Sequence, residues 1–218
     1  MPNAFMTTLL DFWEYFLSQT DTAFIRFIEH FQLVLIAVIL SVVIGVGLGL
    51  VSVYHKPLAN AVLTASQVFM TIPSLAMMAM LIPLLRIGFY NALVALILYS
   101  LLPIVRNTYT GINEIDPKII ESAKGMGMSE QKIMWKIKIP IALPVILAGI
   151  RTATVMLVGI AAIGSYIGAG GLGEFIFRGI ARTHPQMILV GAIGVSIMAI
   201  ALDLILGWAE KAVLTRQS

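Results

Sequence analysis

This chain encodes an all-α polytopic membrane protein, judged by its scarcity of charge, its mean hydropathy and its long charge-free runs. Hydrophobic residues fill 59% and charged residues only 11% of its 218 positions, where a soluble domain carries about 25% charge. Mean hydropathy is +0.96. Residues 30–55, 57–85 and 87–105 contain no Asp, Glu, Lys or Arg; 139–173 contains only Arg151, and 183–209 only Asp203. A spanning helix needs about 20 apolar residues, so about five transmembrane helices are expected. None of the runs alternates in polarity as the strands of a membrane barrel would.

Residues 1–27 mix Phe12, Trp13, Tyr15, Phe16 and Leu17 with Asp11, Glu14 and Asp21. This pattern suits an N-terminal amphipathic segment at the membrane interface. No positive charge precedes the apolar stretch, so a cleaved signal peptide is not expected. Residues 28–218 then form one membrane domain. Its first span, 30–54, carries Gly45 and Gly49, a small-xxx-small pair that admits a close neighbour. The second, 58–85, contains Pro73, which frees the carbonyl of Phe69 and predicts a kink near mid-membrane. The third covers 90–105, with Pro103 near its end; the fourth covers 141–167 and the fifth 186–209.

Five spans put Lys56, Arg106, Lys118, Lys124, Lys132, Lys136, Lys138, Lys211 and Arg216 on one side, nine charges against four (Arg26, Arg86, Arg178, Arg182) on the other. The richer side is the cytoplasm by the positive-inside rule. The N-terminus is then outside, and the C-terminus and the 106–140 loop are cytoplasmic. The same bias accounts for the basic net charge of +3 without nucleic acid.

Residues 117–140 hold five of the fourteen Lys and Arg residues. Asp116-Pro117 is a helix start, and Gly125 or Gly127 can end that helix. Ile119, Ile120 and Ala123 give it an apolar face, and Ser122, Ala123 and Gly125 form a small-residue corner. Ser129 can cap a second short helix over 130–137, which Pro140 stops. The pair makes a rigid cytoplasmic knob.

Glu121-Ser122-Ala123, Gly127 four residues on, and Ile137-Lys138-Ile139-Pro140 together resemble the EAA-loop signature of ABC-importer permeases: Glu-Ala-Ala, three residues, Gly, nine residues, Ile-x-Leu-Pro. Ser122 and Ile139 are mild departures. The resemblance implies the type I importer permease fold, with a coupling helix between spans three and four. Glu121, Ser122, Ala123, Lys124, Gly125, Met126 and Gly127 would then form the interface to a cytoplasmic ATPase. It also implies an ATPase dimer, a second permease copy (identical or related) and an extracytoplasmic substrate-binding protein as partners, in the inner membrane. Arg106 to Gly111, Ala148 to Thr152 and Ile167 to Gly173 resemble the permeases of glycine betaine/carnitine/choline importers, which implies uptake of quaternary-ammonium osmoprotectants. The methionine importer's permease shares the coupling loop and much of the glycine-rich segment, so methionine or another amino acid stays open as substrate. An ion-coupled secondary transporter is the other class; it would call for internal repeats and intramembrane acids, and only Asp203 answers.

Enzymatic chemistry finds no support. The chain lacks a G-x-x-x-x-G-K-[ST] loop, so no cofactor is expected in it, and ATP and Mg²⁺ belong to the ATPase. It has no cysteine, and His30, His55 and His184 lack metal-ligand spacing, so no metal site is expected. Gly168-x-Gly170-x-x-Gly173 matches a dinucleotide fingerprint in letters only, since it follows a membrane span instead of a strand. It fits a tight or re-entrant loop, with Phe175, Ile176 and Phe177 at the interface. Two charges lie within spans, where they are costly. Depths of roughly 15 and 9 Å at 1.5 Å per residue let Arg151 and Asp203 pair, or one of them face a polar pathway. Gln67, Thr71 and Ser74, around the Pro73 kink, either line that pathway or bond to neighbouring helices.

Overall fold

The computed structural model describes residues 4–215, with side chains from Leu10 onward. Residues 1–3 of the expected interfacial segment and Arg216 lie outside the described residues. The elements are α1 (Ala4–Ser18), α2 (Thr20–Tyr54), α3 (Lys56–Thr71), α4 (Ser74–Leu85), α5 (Phe89–Asn113), α6 (Pro117–Gly125), α7 (Glu130–Ile133), α8 (Ile139–Gly164), α9 (Gly173–Ala181) and α10 (Pro185–Leu214). A π-helical turn, Met134–Lys138, joins α7 to α8.

Among the described residues, four helical stretches are long and apolar enough to cross a membrane: Thr20–Tyr54, Phe89–Asn113, Glu130–Ile167 and Pro185–Leu214. The second expected span is not a kinked helix. It is broken by 105° between α3 and α4, and makes a fifth crossing only if the bent pair counts as one. Pro73 explains where it breaks: the ring bars Ile72 from helical geometry, and Pro73 itself is extended at φ −57, ψ 137. Pro103 and Pro140 behave otherwise. Helix α5 runs ten residues beyond Pro103 to Asn113, past the expected end. Pro140 does not stop a short helix; it is the second residue of α8, and the wide turn before it bonds Ile139 N–H to the Met134 carbonyl. A proline ring in α geometry would meet the carbonyl four residues back, and a π turn gives it room.

The helices pack as two compact units. One comprises the chain up to Ala37, Ile72–Leu96 and Met156–Ala201. Its interior holds Leu33 and Val34 of α2, Met77 and Met78 of α4, Ala92 and Leu96 of α5, and Leu157, Val158 and Ala161 of α8, all buried. Buried polar side chains here bond to backbone: His30 donates Nε2–H to the Val158 carbonyl at 3.0 Å, and Asn91 donates to the carbonyls of Met78 at 3.0 Å and Arg86 at 2.9 Å. Phe175, Met187 and Val190 pack against Phe12, Tyr15 and Phe16 of α1. Phe175 is therefore buried in the protein and does not rest at the interface as expected.

The other unit comprises Val38–Thr71, Ile97–Val155 and the chain from Leu202. Gly45 and Gly49 bring α2 against α5 at van der Waals range, since a methyl group at Gly49 would sit 2.6 Å from Thr108 Cβ. Gly149 does the same for α8 against Asn107. Ile112, Met134, Ala142 and Ile146 form the apolar cluster beneath the charged loop.

Candidate functional site

Helix α6 starts as its sequence dictates. Asp116 Oδ1 accepts from Lys118 N–H at 2.9 Å, and Pro117 takes the first helical position. The helix ends at Gly125, and the chain turns at Gly127 with φ +77, a left-handed value that only glycine adopts without cost. Met128 N–H then bonds to the Ala123 carbonyl at 3.1 Å. Ser129 Oγ accepts from Lys132 N–H at 3.4 Å and caps α7. Lys124 and Glu130 form an ion pair of 2.6 Å across the turn.

The knob's two faces differ in kind. Ala123 and Ile133 are 1% and 0% exposed and face inward, and Met134 enters the apolar cluster below. The Ala123 side chain is thus packed into the base of the knob. Outward stand Glu121, Ser122, Lys124, Gly125 and Gly127, with Met126 at 73% and Ile119 at 42% exposure. A methyl group at Gly125 or Gly127 would meet nothing within 4 Å. An exposed thioether and isoleucine beside small residues and one carboxylate make a surface that a protein groove can bury.

The two intramembrane charges meet. Arg151 Nε and Nη2 lie 2.6 and 2.7 Å from Asp203 Oδ1 and Oδ2, a bidentate pair. Sequence reasoning missed a third member: Glu210 lies 3.2 Å from Arg151 Nη1. Its signal was present, since Glu210 follows Asp203 by seven residues and so shares its helix face. Gln67 and Thr71 are exposed one turn apart on α3, and Ser74 opens α4 beyond the break. The Thr71 hydroxyl donates to the Val68 carbonyl at 2.8 Å.

A second ionic network in the other unit was also missed. Arg26 lies 2.8 Å from Glu29 and 2.6 Å from Glu174, and Glu174 also pairs with Arg178. Glu29 accepts Gly171 N–H at 2.9 Å. Gly168, Gly170 and Gly171 all have φ between +78 and +89, so the glycine-rich segment is a turn that carboxylate and arginine staple to α2. Among the described residues no group of three or more His, Asp or Glu side chains is placed to hold a metal ion.

A family model described as "Binding-protein-dependent transport system inner membrane component" matches residues 22–217. Among curated relatives, a choline transport system permease protein of Bacillus subtilis is 46% identical over 84% of this chain and 84% of its own. A carnitine transport permease protein of Listeria monocytogenes is 42% identical over 94% and 93%. An osmoprotectant import permease protein of Salmonella typhimurium is 46% identical over 82% and 85%. Among solved structures, an inward-facing methionine ABC transporter matches with a TM-score of 0.77 at 24% identity, over 86% of this chain and 94% of that one. An amino acid ABC transporter matches with a TM-score of 0.77 at 21% identity, over 91% and 97%.

Proposed function

The chain belongs to the family of binding-protein-dependent transport system inner membrane components, and from that membership we propose that it carries quaternary-ammonium osmoprotectants (glycine betaine, carnitine or choline) into the cytoplasm. It is a permease subunit of an ABC importer, and ATP is hydrolysed by a partner chain. The observation behind the substrate class is the level of likeness. Relatives named for choline and carnitine reach 42–46% identity over more than four fifths of the chain. The methionine and amino acid transporters share the fold at 21–24%.

The geometry supports a division of labour. The outward face of α6, with Glu121, Ser122, Lys124, Gly125, Met126 and Gly127, seats in a groove of the ATPase subunit, and Ala123 holds that face from behind. Two permease chains enclose the route, and Gln67, Thr71 and Ser74 at the helix break supply polar lining. An enclosed route is required because moving an ion into a medium of low dielectric costs on the order of 20 kcal/mol. ATP closure of the ATPase dimer moves the knobs and shifts the spans between two packings. A separate external binding protein selects the solute, since aromatic cages suit quaternary ammonium groups. The knob and C-terminus are cytoplasmic and the N-terminus is external.

Uptake of labelled choline, carnitine, glycine betaine and methionine by the chain with its ATPase and binding protein, in cells lacking other routes, tests this. Saturable uptake of at least one quaternary ammonium solute, lost on ATP depletion, is expected. Uptake of methionine alone would reassign the substrate, and uptake that survives ATP depletion but collapses with an uncoupler would reassign the class.

A further inference from the structure

We propose that Gly207 and Glu210 are positioning residues of the transport cycle. With Arg151 and Asp203 they form a two-seat charge latch that keeps α10 paired to α8 while the helices slide past each other. This rests on the importer role above, because a second seat is needed only by a protein that alternates between two packings.

Asp203 alone satisfies the guanidinium. Its two oxygens take Nε–H at 2.6 Å and Nη2–H at 2.7 Å, the fork geometry that neutralises arginine most completely. Glu210, at 3.2 Å from Nη1, is surplus, and one cation with two carboxylates leaves a formal charge of −1. Asp203 lies inside the expected fifth span, 186–209, and Glu210 one residue past its end, so the second carboxylate extends the line of acceptors toward the helix end.

The spacing gives the surplus group a use. Asp203 and Glu210 stand seven residues apart, two turns or about 10.5 Å along the axis, on the face of α10 that meets Arg151. Midway between them lies Gly207. A methyl group there would fall 2.9 Å from Arg151 Cζ and 3.0 Å from Nη1, so the guanidinium rests on bare helix backbone. Any side chain at 207 would block the line between the two carboxylates, and glycine leaves it open. The side chains of Arg151, Asp203 and Glu210 are 35%, 37% and 22% exposed, so the seats are not sealed by packing.

Apolar contacts tolerate sliding, because dispersion and burial have no direction. An ion pair parted in a membrane does not. Two acceptors along one open track keep the guanidinium paired at both ends of a shift of about one helical turn, ~5.4 Å. In the present structure the guanidinium lies over Gly207 between the two seats, forked on Asp203 and also bonded to Glu210.

The natural absence of cysteine makes the test direct. Spin labels at Ile141→Cys on α8 and Ile205→Cys on α10, both exposed, report the axial offset of the helices in the complete importer in lipid. Distances are measured without nucleotide and with ATP trapped. Two populations whose ratio changes with nucleotide are expected. Glu210→Gln should deplete the population not seated on Asp203 by roughly tenfold, within the range of allosteric couplings, and Asp203→Asn should bias the opposite way. Gly207→Leu should leave one population, and transport per ATP should fall in each variant. A purely structural pair would move both carboxylate variants in the same direction. Glu210→Gln keeps the Asp203 pair and so carries the test if Asp203→Asn does not fold. One unchanging distance in the unsubstituted complex, or populations unmoved by Glu210→Gln, would overturn the latch. ATP-driven uptake by the unsubstituted complex, scored separately, decides the importer role itself.

Discussion

Gly127 and Gly173 are constrained for different reasons, and substitution separates them. Gly127 is surrounded by open space but sits at φ +77. Alanine there should cost about 1 kcal/mol through backbone strain alone, whereas Gly127→Pro should remove the turn and abolish uptake while the protein still inserts in the membrane. Gly173 has no special backbone need, yet a methyl group there would run into the carbonyl of Ala162. Gly173→Ala should therefore destabilise the protein by about 1–3 kcal/mol, as overpacking does, seen as a lower midpoint of thermal unfolding in detergent. Sequence reasoning named both glycines but could not tell these cases apart, because a letter does not show whether the constraint is a dihedral angle or a neighbour. Ala123 is similar: its motif position was legible, but the burial of its side chain depends on neighbours that the motif does not name.

The helices were legible where a local rule sufficed. The Asp116 and Ser129 caps and the α6 stop follow from a few adjacent residues, and the four long apolar stretches follow from length. The prolines were harder, since Pro73 breaks its helix while Pro103 and Pro140 lie within theirs. Only neighbouring structure, such as the π turn before Pro140, decides which occurs. Helix α9 depends on partners that sequence distance hides: Glu174 pairs with Arg26, 148 residues earlier in the chain, and with Arg178. Glu174→Gln should weaken the docking of α9 by about 1.5–3 kcal/mol, the range for hydrogen bonds to charged groups. Hydrogen exchange should then quicken across residues 173–181 and stay unchanged in α6. Equal quickening in both would mean global destabilisation and not the loss of a local staple.

At the scale of the whole molecule, the proposed contact with the ATPase is a small outward surface on a rigid base. Met126→Cys, at 73% exposure, should cross-link to the ATPase subunit in good yield, whereas Ala123→Cys, at 1%, should not. Glu121→Lys should abolish uptake with membrane insertion retained. The fold class and the family were readable from composition and one spaced motif. The Arg151–Asp203 pair was legible from depth, whereas Glu210 and the tie between Arg26 and Glu174 were not, because they join residues 59 and 148 positions apart. The way the knob is anchored has a further consequence in a cell under osmotic stress. Its visible ion pair, Lys124 with Glu130, is 53% and 64% exposed, and such pairs contribute little and fade as the Debye length shrinks. Its real footing is Ala123, Ile133 and Met134, whose burial does not depend on ionic strength. On the cytoplasmic side proposed for it, the knob should therefore keep its shape when dehydration concentrates the cytoplasm, at the moment the cell most needs solute.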